Sequence, residues 1–135
     1  MQLSTRSRYG TRLMVDLAQH YDQGPIRIND IAKRQDISVK YLEQLIIPLK
    51  KADLIKSVRG PKGGHLLAKP TQNITVGEIV MLLENETSLA PCIKNPGACY
   101  MTDTCLTRDI WGMLTEKIYE TLNSITLSDV IKVDW

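Results

Sequence analysis

Apolar residues recur every three to four positions over much of the chain. Tyr9, Leu13, Leu17 and Tyr21 stand four apart, flanked by Met14 and Ala18. That spacing marks one face of a helix, ended by Gly24 and Pro25. "INDIAKRQD" predicts a short second helix with Asn29 or Asp30 as its N-cap. Ser38 caps a third, "VKYLEQLIIPLKKA", whose inward face is Leu42, Leu45, Ile46 and Leu49. Pro48 removes a backbone hydrogen bond there and clashes with the preceding turn, so a kink or tightened turn is expected between Gln44 and Pro48. The period then changes. β-Prone runs at 55–59 and 65–68 flank "GPKGG", the pattern of a hairpin with a glycine-rich tip. Thr75 and Glu78 have capping-box spacing ahead of "VGEIVMLLE". Residues 87–104 show no period and predict an irregular loop. Leu106, Ile110, Leu114, Ile118 and Leu122 mark a long amphipathic helix, and "LSDVI" predicts a last turn.

The expected fold is mainly α with a small β-hairpin. Three short helices followed by a hairpin is the order of a winged helix-turn-helix, here joined to a long C-terminal helix. The chain divides into a winged region at 1–70, a connecting helix at 71–91, a cysteine loop at 92–105, and a helix with a final turn at 106–135. The 135 residues, 43% hydrophobic, suffice for a packed core without disulfide staples. No apolar run approaches the roughly 18 residues of a membrane span, and "MQLSTRSRYG" lacks a secretory apolar stretch. The expectation is a cytoplasmic protein with reduced thiols and no membrane partner.

Charge sharpens the division. Residues 1–70 hold 13 Lys and Arg against 6 Asp and Glu, whereas residues 71–135 hold 4 against 9. A basic first half points to an anionic partner, nucleic acid being the usual one, although a solvated charged surface gives the same balance. In a helix-turn-helix the second helix enters the major groove. With Leu42, Leu45 and Ile46 inward, Lys40, Tyr41, Glu43 and Gln44 lie on or near the exposed side. Gln can bond adenine in two places, Lys can reach guanine or phosphate, and Glu can accept from cytosine. Arg59, Lys62 and the glycines of "RGPKGG" form a narrow cationic tip able to approach the DNA backbone or a minor groove.

Cys92, Cys99 and Cys105 lie in C-x6-C-x5-C spacing, too wide for one helical turn. An odd number leaves at least one thiol outside any internal disulfide. Thiolates suit zinc, copper(I) and iron–sulfur clusters, and reactive or inert thiols are the alternatives. A closed zinc site needs four ligands, and His20 and His65 are distant in sequence. An enzyme with a cysteine nucleophile would need a neighbouring base and an oxyanion site. No motif links His65 to the loop, so the chain is not expected to be an enzyme.

The run "SVKYLEQLIIPLKKADLIKSVRGPKGGHLL" resembles the recognition helix and wing of the bacterial IscR-like iron–sulfur cluster regulators. The resemblance extends over nearly the whole chain, from "LSTRSRYGTRLMVDLA" through the cysteine loop to "LNSITLSDVI". It implies a transcriptional regulator, a repressor by preference, that senses iron–sulfur or redox status. It also implies a homodimer paired through the long C-terminal helix, bound to double-stranded DNA at an imperfect inverted repeat. Ser38, Lys40, Tyr41, Glu43 and Gln44 would read or border the major groove, with Arg59 on the wing. Cys92, Cys99 and Cys105 match the family's three cysteine ligands, favouring a 2Fe–2S cluster with 4Fe–4S as the competitor. One departure stands out. The family has a histidine three residues after the last cysteine, and this chain has Arg108. Nitric-oxide-sensing relatives use an acidic residue in the first helix, where this chain has Arg8. Arginine stays protonated and is a poor ligand, so Asp103, Asp109, a partner-subunit group, a small molecule or nothing stable is left for the fourth position. Glu43 is further expected to exclude some operators unless the cluster changes the helix setting. The rival expectation is a cluster-free winged-helix regulator sensing thiol oxidation, a small ligand or a protein partner.

Overall fold

The computed structural model describes residues 1–132. Helix α1, Thr5–Gln19, begins where the Ser4 hydroxyl accepts the Ser7 N–H, satisfying one of the donors a helix start leaves open. A 3-10 turn at Tyr21–Gln23 leads to α2, Ile28–Gln35. Arg27, not Asn29 or Asp30, is the N-cap of α2 and makes no side-chain capping bond. The helix begins two residues earlier than an Asn29 cap would start it, because Ile28 packs against the core. Asp30 falls in the first turn instead, where a carboxylate favours the helix dipole.

Helix α3, Val39–Lys51, is capped by Ser38, whose hydroxyl accepts the Tyr41 N–H at 3.1 Å. Its buried face is Leu42, Leu45, Ile46 and Leu49, as the spacing predicts. Pro48 does not interrupt the helix, which runs on to Lys51. The carbonyl that loses its partner belongs to Gln44, on the exposed side, where water can replace the missing donor. Strands β1, Ile55–Val58, and β2, Gly64–Leu67, pair antiparallel with Ile55 opposite Leu67 and Val58 opposite Gly64. Gly60 takes φ +107° in the connecting turn, and the Gly63 N–H closes it on the Gly60 carbonyl at 2.9 Å. A Cβ on Gly63 would run into the Val58 carbonyl, so this tip requires glycine for close packing as well as for conformation.

A 3-10 turn at Thr71–Asn73 precedes α4, Val76–Leu83, which has the full Thr75–Glu78 capping box. The loop predicted at 87–104 holds two short elements, α5 at Pro91–Lys94 and a 3-10 turn at Pro96–Ala98. Helix α6 is Arg108–Asn123, so Leu106 lies outside it and is 94% exposed. Helix α7, Leu127–Lys132, returns to the core, where Leu127 is fully buried. Backbone bonds fasten that return: Val76 N–H to Ile125 carbonyl, and Leu127 N–H to Ile74 carbonyl.

One core unites these elements. Leu13, Leu17, Ile31, Leu42, Leu45, Leu49, Ile79 and Leu83 form one cluster of buried side chains. It fixes α3 against α1 and α2, with the hairpin beside it. The result is mostly helical with one two-stranded antiparallel hairpin. Among the described residues no helix is long and apolar enough to cross a membrane.

Candidate nucleic-acid interface and cysteine segment

Burying Leu42, Leu45, Ile46 and Leu49 forces the other side of α3 outward. Ser38, Lys40, Glu43 and Gln44 are exposed there, and Tyr41 is half-buried. The Tyr41 ring meets the Tyr9 ring edge-on, with centroids 5.8 Å apart at 88°. Arg12 lies over Tyr9 at 5.3 Å and also bonds the side chain and backbone carbonyl of Gln35. Tyr41 therefore has a packing role that its place on α3 alone did not reveal. Ile47, 68% exposed on the same helix, was missed as well.

The wing tip presents Arg59 and Lys62, both exposed. Arg27 was not predicted here. From the start of α2 it donates to the Pro61 carbonyl at 2.5 Å, tying the tip to the helix. Further along the wing, His65 Nδ1 lies 2.8 Å from Ser57 Oγ, and the His65 backbone exchanges two 2.8 Å bonds with Ile26. Burial pushes the His65 imidazole below its usual pKa, helped by the Lys50 charge and opposed by that of Glu43. The ring belongs to the hairpin's packing.

The first two helices are locked by a buried carboxylate. Asp16, 0% exposed, accepts Arg34 Nε at 3.0 Å and its terminal nitrogen at 2.8 Å, plus Gln35 Nε2 at 3.0 Å. Burial raises its pKa, but the bonds from Arg34 and Gln35 and the charges of Arg34 and His20 outweigh burial and hold it below the usual carboxylate value. This network sets α2 on α1 and so the entry to α3.

The three cysteines occupy one accessible segment. Cys92 is on α5, Cys99 follows the 3-10 turn, and Cys105 precedes α6. All are free, Cys99 exposed and the other two half-buried. The structure does not draw the sulfurs together: among the described residues no group of three or more His, Cys, Asp or Glu is arranged to hold a metal ion. Thr102 braces the segment by donating toward the Pro96 and Cys99 carbonyls at 2.6 and 2.8 Å. Asp103 and Asp109 are exposed. Arg108 donates from Nε and a terminal nitrogen to the Cys92 carbonyl, at 3.3 and 3.0 Å. The residue at the position of the missing histidine thus ties the first cysteine to the first turn of α6. The Cys105 thiol is 3.3 Å from Thr107 Oγ1, and that hydrogen bond, with backbone N–H groups and the Arg108 charge, lowers its pKa. Arg8, exposed, donates to the Thr5 hydroxyl in its own helix.

Helix α6 has no buried residue. Ile110, Leu114 and Ile118 are 39–44% exposed, and Met113 is 57% exposed.

A polar helix face beside a basic hairpin, both seated on a three-helix core, is the arrangement of a winged helix-turn-helix DNA-binding module. The comparisons with known proteins make the class specific. Residues 3–133 match the Rrf2 family, described as iron-dependent transcriptional regulators, and the chain belongs to that family. It is 46% identical over 132 residues to the protein rrf2 of Nitratidesulfovibrio vulgaris, covering 98% of this chain and 88% of that one. The solved structure of T. potens IscR superposes with a TM-score of 0.81 at 42% identity, covering 98% of this chain and 87% of that one. The oxidized form of Staphylococcus aureus CymR gives 0.81 at 35% identity, covering all of both chains. The chain is an IscR-like transcriptional regulator of the Rrf2 type. Regulators of this family are not enzymes.

Proposed function

We propose that the protein is a cytoplasmic, homodimeric DNA-binding repressor that senses iron–sulfur or redox status through Cys92, Cys99 and Cys105. Residues 1–70 would grip duplex DNA at an imperfect inverted repeat. Residues 92–105 would hold the cluster, and the stretch 106–135 would pair two copies, its last three residues lying outside the described part. Lys40, Glu43 and Gln44 offer base-reading groups, Ser38 and Tyr41 border them, and Arg59 and Lys62 serve the wing. Two-fold pairing would present both α3 helices to successive major grooves.

The observation that carries the sensing role is the placement of three free thiols in one accessible segment, attached to α6 by Arg108. The donor set fits an iron–sulfur cluster in kind, since soft thiolates are its usual ligands. Iron–sulfur chemistry would supply the response to iron supply or oxidants. A 2Fe–2S cluster is favoured, with 4Fe–4S as the competitor. Arg108 holds the Cys92 carbonyl and, as a protonated group, offers no lone pair. The fourth ligand would come from Asp103, Asp109, a partner subunit or a small molecule. Because Arg108 links Cys92 to α6, gathering the three sulfurs would pull on the first turn of the pairing helix, and so on the spacing of the two α3 helices.

Oxygen-free purification followed by absorbance, iron and sulfide analysis tests the cofactor. Iron and sulfide in equal amounts, lost in Cys→Ala variants, is the expected result. Colourless protein after enzymatic reconstitution removes the cluster. A second reading, direct thiol oxidation, draws support from the lowered pKa of Cys105. It predicts oxidant-dependent DNA affinity without iron. Glu43→Ala addresses selectivity: the variant should bind operators that the wild type rejects, and an unchanged sequence preference would remove Glu43 from the selection step.

A further inference from the structure

The cleft between the wing and α2 is lined by His20, Arg27, Arg34 and Lys62, with one carboxylate, Asp30. These groups are engaged differently. Arg34 is committed to Asp16 through two bonds, and His20 Nδ1 lies 2.7 Å from the Asp16 carbonyl oxygen. Arg27 and Lys62 are exposed, and among the described residues neither forms an ion pair. Among the described residues Asp30 forms no ion pair with either of them.

The Arg27 guanidinium is nevertheless held in place. Its bond to the Pro61 carbonyl spans 34 positions of sequence and brings it beside the residue that precedes Lys62. That bond uses one of five N–H donors, and the others have no protein partner among the described residues. Arg27, Arg34 and Lys62 line this cleft against the single carboxylate Asp30, so it keeps an excess of positive charge that an anion would offset. In a helix-turn-helix the helix before the recognition helix crosses the DNA backbone, and here the wing tip is bonded to the start of that helix. The anion that meets such a position on a duplex is a backbone phosphate, for which a guanidinium fork is well shaped.

We propose that Arg27 and Lys62 form a clamp for one phosphate of duplex DNA, with the Arg27–Pro61 bond setting the wing tip for that contact. The inference rests on the DNA-binding reading above and adds Arg27, a position sequence patterning left out. A phosphate clamp strengthens binding to every sequence alike and adds to its salt dependence. A bond that only braced the wing would leave the salt dependence as it is.

The test is equilibrium binding of the full chain to a random-sequence duplex and to a promoter fragment across a salt series. Arg27→Gln combined with Lys62→Gln should lower the slope of log affinity against log salt by about one, because one phosphate contact is lost. Both duplexes should weaken to the same extent, with the thermal midpoint unchanged. Arg27→Lys should keep the wild-type slope. An unchanged slope in the double variant overturns the clamp, and a fall of about two shows separate contacts and overturns the sharing. Wild-type protein with no salt-dependent binding to either duplex would defeat the DNA-binding reading itself, an outcome distinct from these.

Discussion

Helices α1 and α6 have nearly the same length and the same four-residue apolar spacing, yet only one of them is covered. In α1, Leu13, Met14 and Leu17 are at most 1% exposed, packed among α2, α3, α4 and α7. In α6 no residue is buried, and from Glu84 to Thr126 the chain buries nothing at all. Then α7 re-enters the core with Leu127 at 0%. The buried core lies in the winged part, α4 and the last helix, with an excursion of loop and helix that buries no residue carried between them. Periodicity dictates which residues share a helix face; it contains nothing about what that face meets. A long apolar stripe left half in water is the mark of an interface, and under the proposed function a second copy of the chain would supply a self-complementary one.

The largest effects should come from breaking that distinction. Leu114→Glu with Ile118→Glu places charge on the stripe and should give a folded monomer by sedimentation. Loss of two-site attachment should then weaken operator binding by about 10²–10⁴-fold. A dimer that survives both changes would move the pairing surface elsewhere. The same truncation at matched positions sharpens the contrast. Leu13→Ala should cost about 2–5 kcal/mol of unfolding free energy, because it empties a closed core site. Leu114→Ala should leave monomer unfolding within about 0.5 kcal/mol, the range of exposed sites, while raising the dimer dissociation constant. Denaturant titrations at low and high protein concentration separate the two.

The winged half was largely legible because its local signals agree with its packing. Ser38 is both a good cap and the residue before an apolar face, and Thr75 and Glu78 satisfy each other within four residues. Where local and tertiary demands part, patterning fails. At α2 the polar Asn29 and Asp30 looked like caps, but packing of Ile28 drew the helix start back to Arg27. Pro48 looked disruptive, but its orphaned carbonyl faces outward and the apolar face of α3 stays intact. The site was legible by residue type only. Cys92, Cys99 and Cys105 are evident in the sequence, whereas the bond from Arg108 to the Cys92 carbonyl joins positions with no periodic relation. Arg27 to Pro61 and Asp16 to Arg34 are of the same kind.

Asp16 provides the next test, of intermediate size. Asp16→Asn removes the charge that holds Arg34, but Arg34 is 37% exposed and can turn to water. The cost should be about 1–3 kcal/mol, that of a broken buried hydrogen-bond set. Because the folded protein lowers the Asp16 pKa, this stabilisation is complete above the usual carboxylate value of about 3.9. It is lost as pH falls through the depressed folded value, where the carboxylate takes up a proton. Wild type and Asp16→Asn should therefore differ in thermal midpoint at neutral pH and converge in acid. A constant gap across that range would assign the difference to packing.

The smallest expected effect falls on the excursion and reports its chemistry without touching its stability. Cys105 is held in the thiolate-favouring direction mainly by the Thr107 hydroxyl, 3.3 Å from its sulfur. The thiolate is the reacting species, so alkylation rate follows its population. Thr107→Val keeps the side-chain volume and the β-branch but removes the donor. In metal-free protein the pH midpoint for iodoacetamide modification of Cys105, followed by peptide mass analysis, should move upward. The thermal midpoint should not move, because Thr107 is exposed at the start of α6. Arg108→Gln should shift the same profile by less, since its charge is the last of the influences on that thiol. An Arg108 effect larger than that of Thr107 would mean that the bond to the Cys92 carbonyl shapes the whole cysteine segment. The excursion would then be an ordered unit before any ligand or second chain meets it.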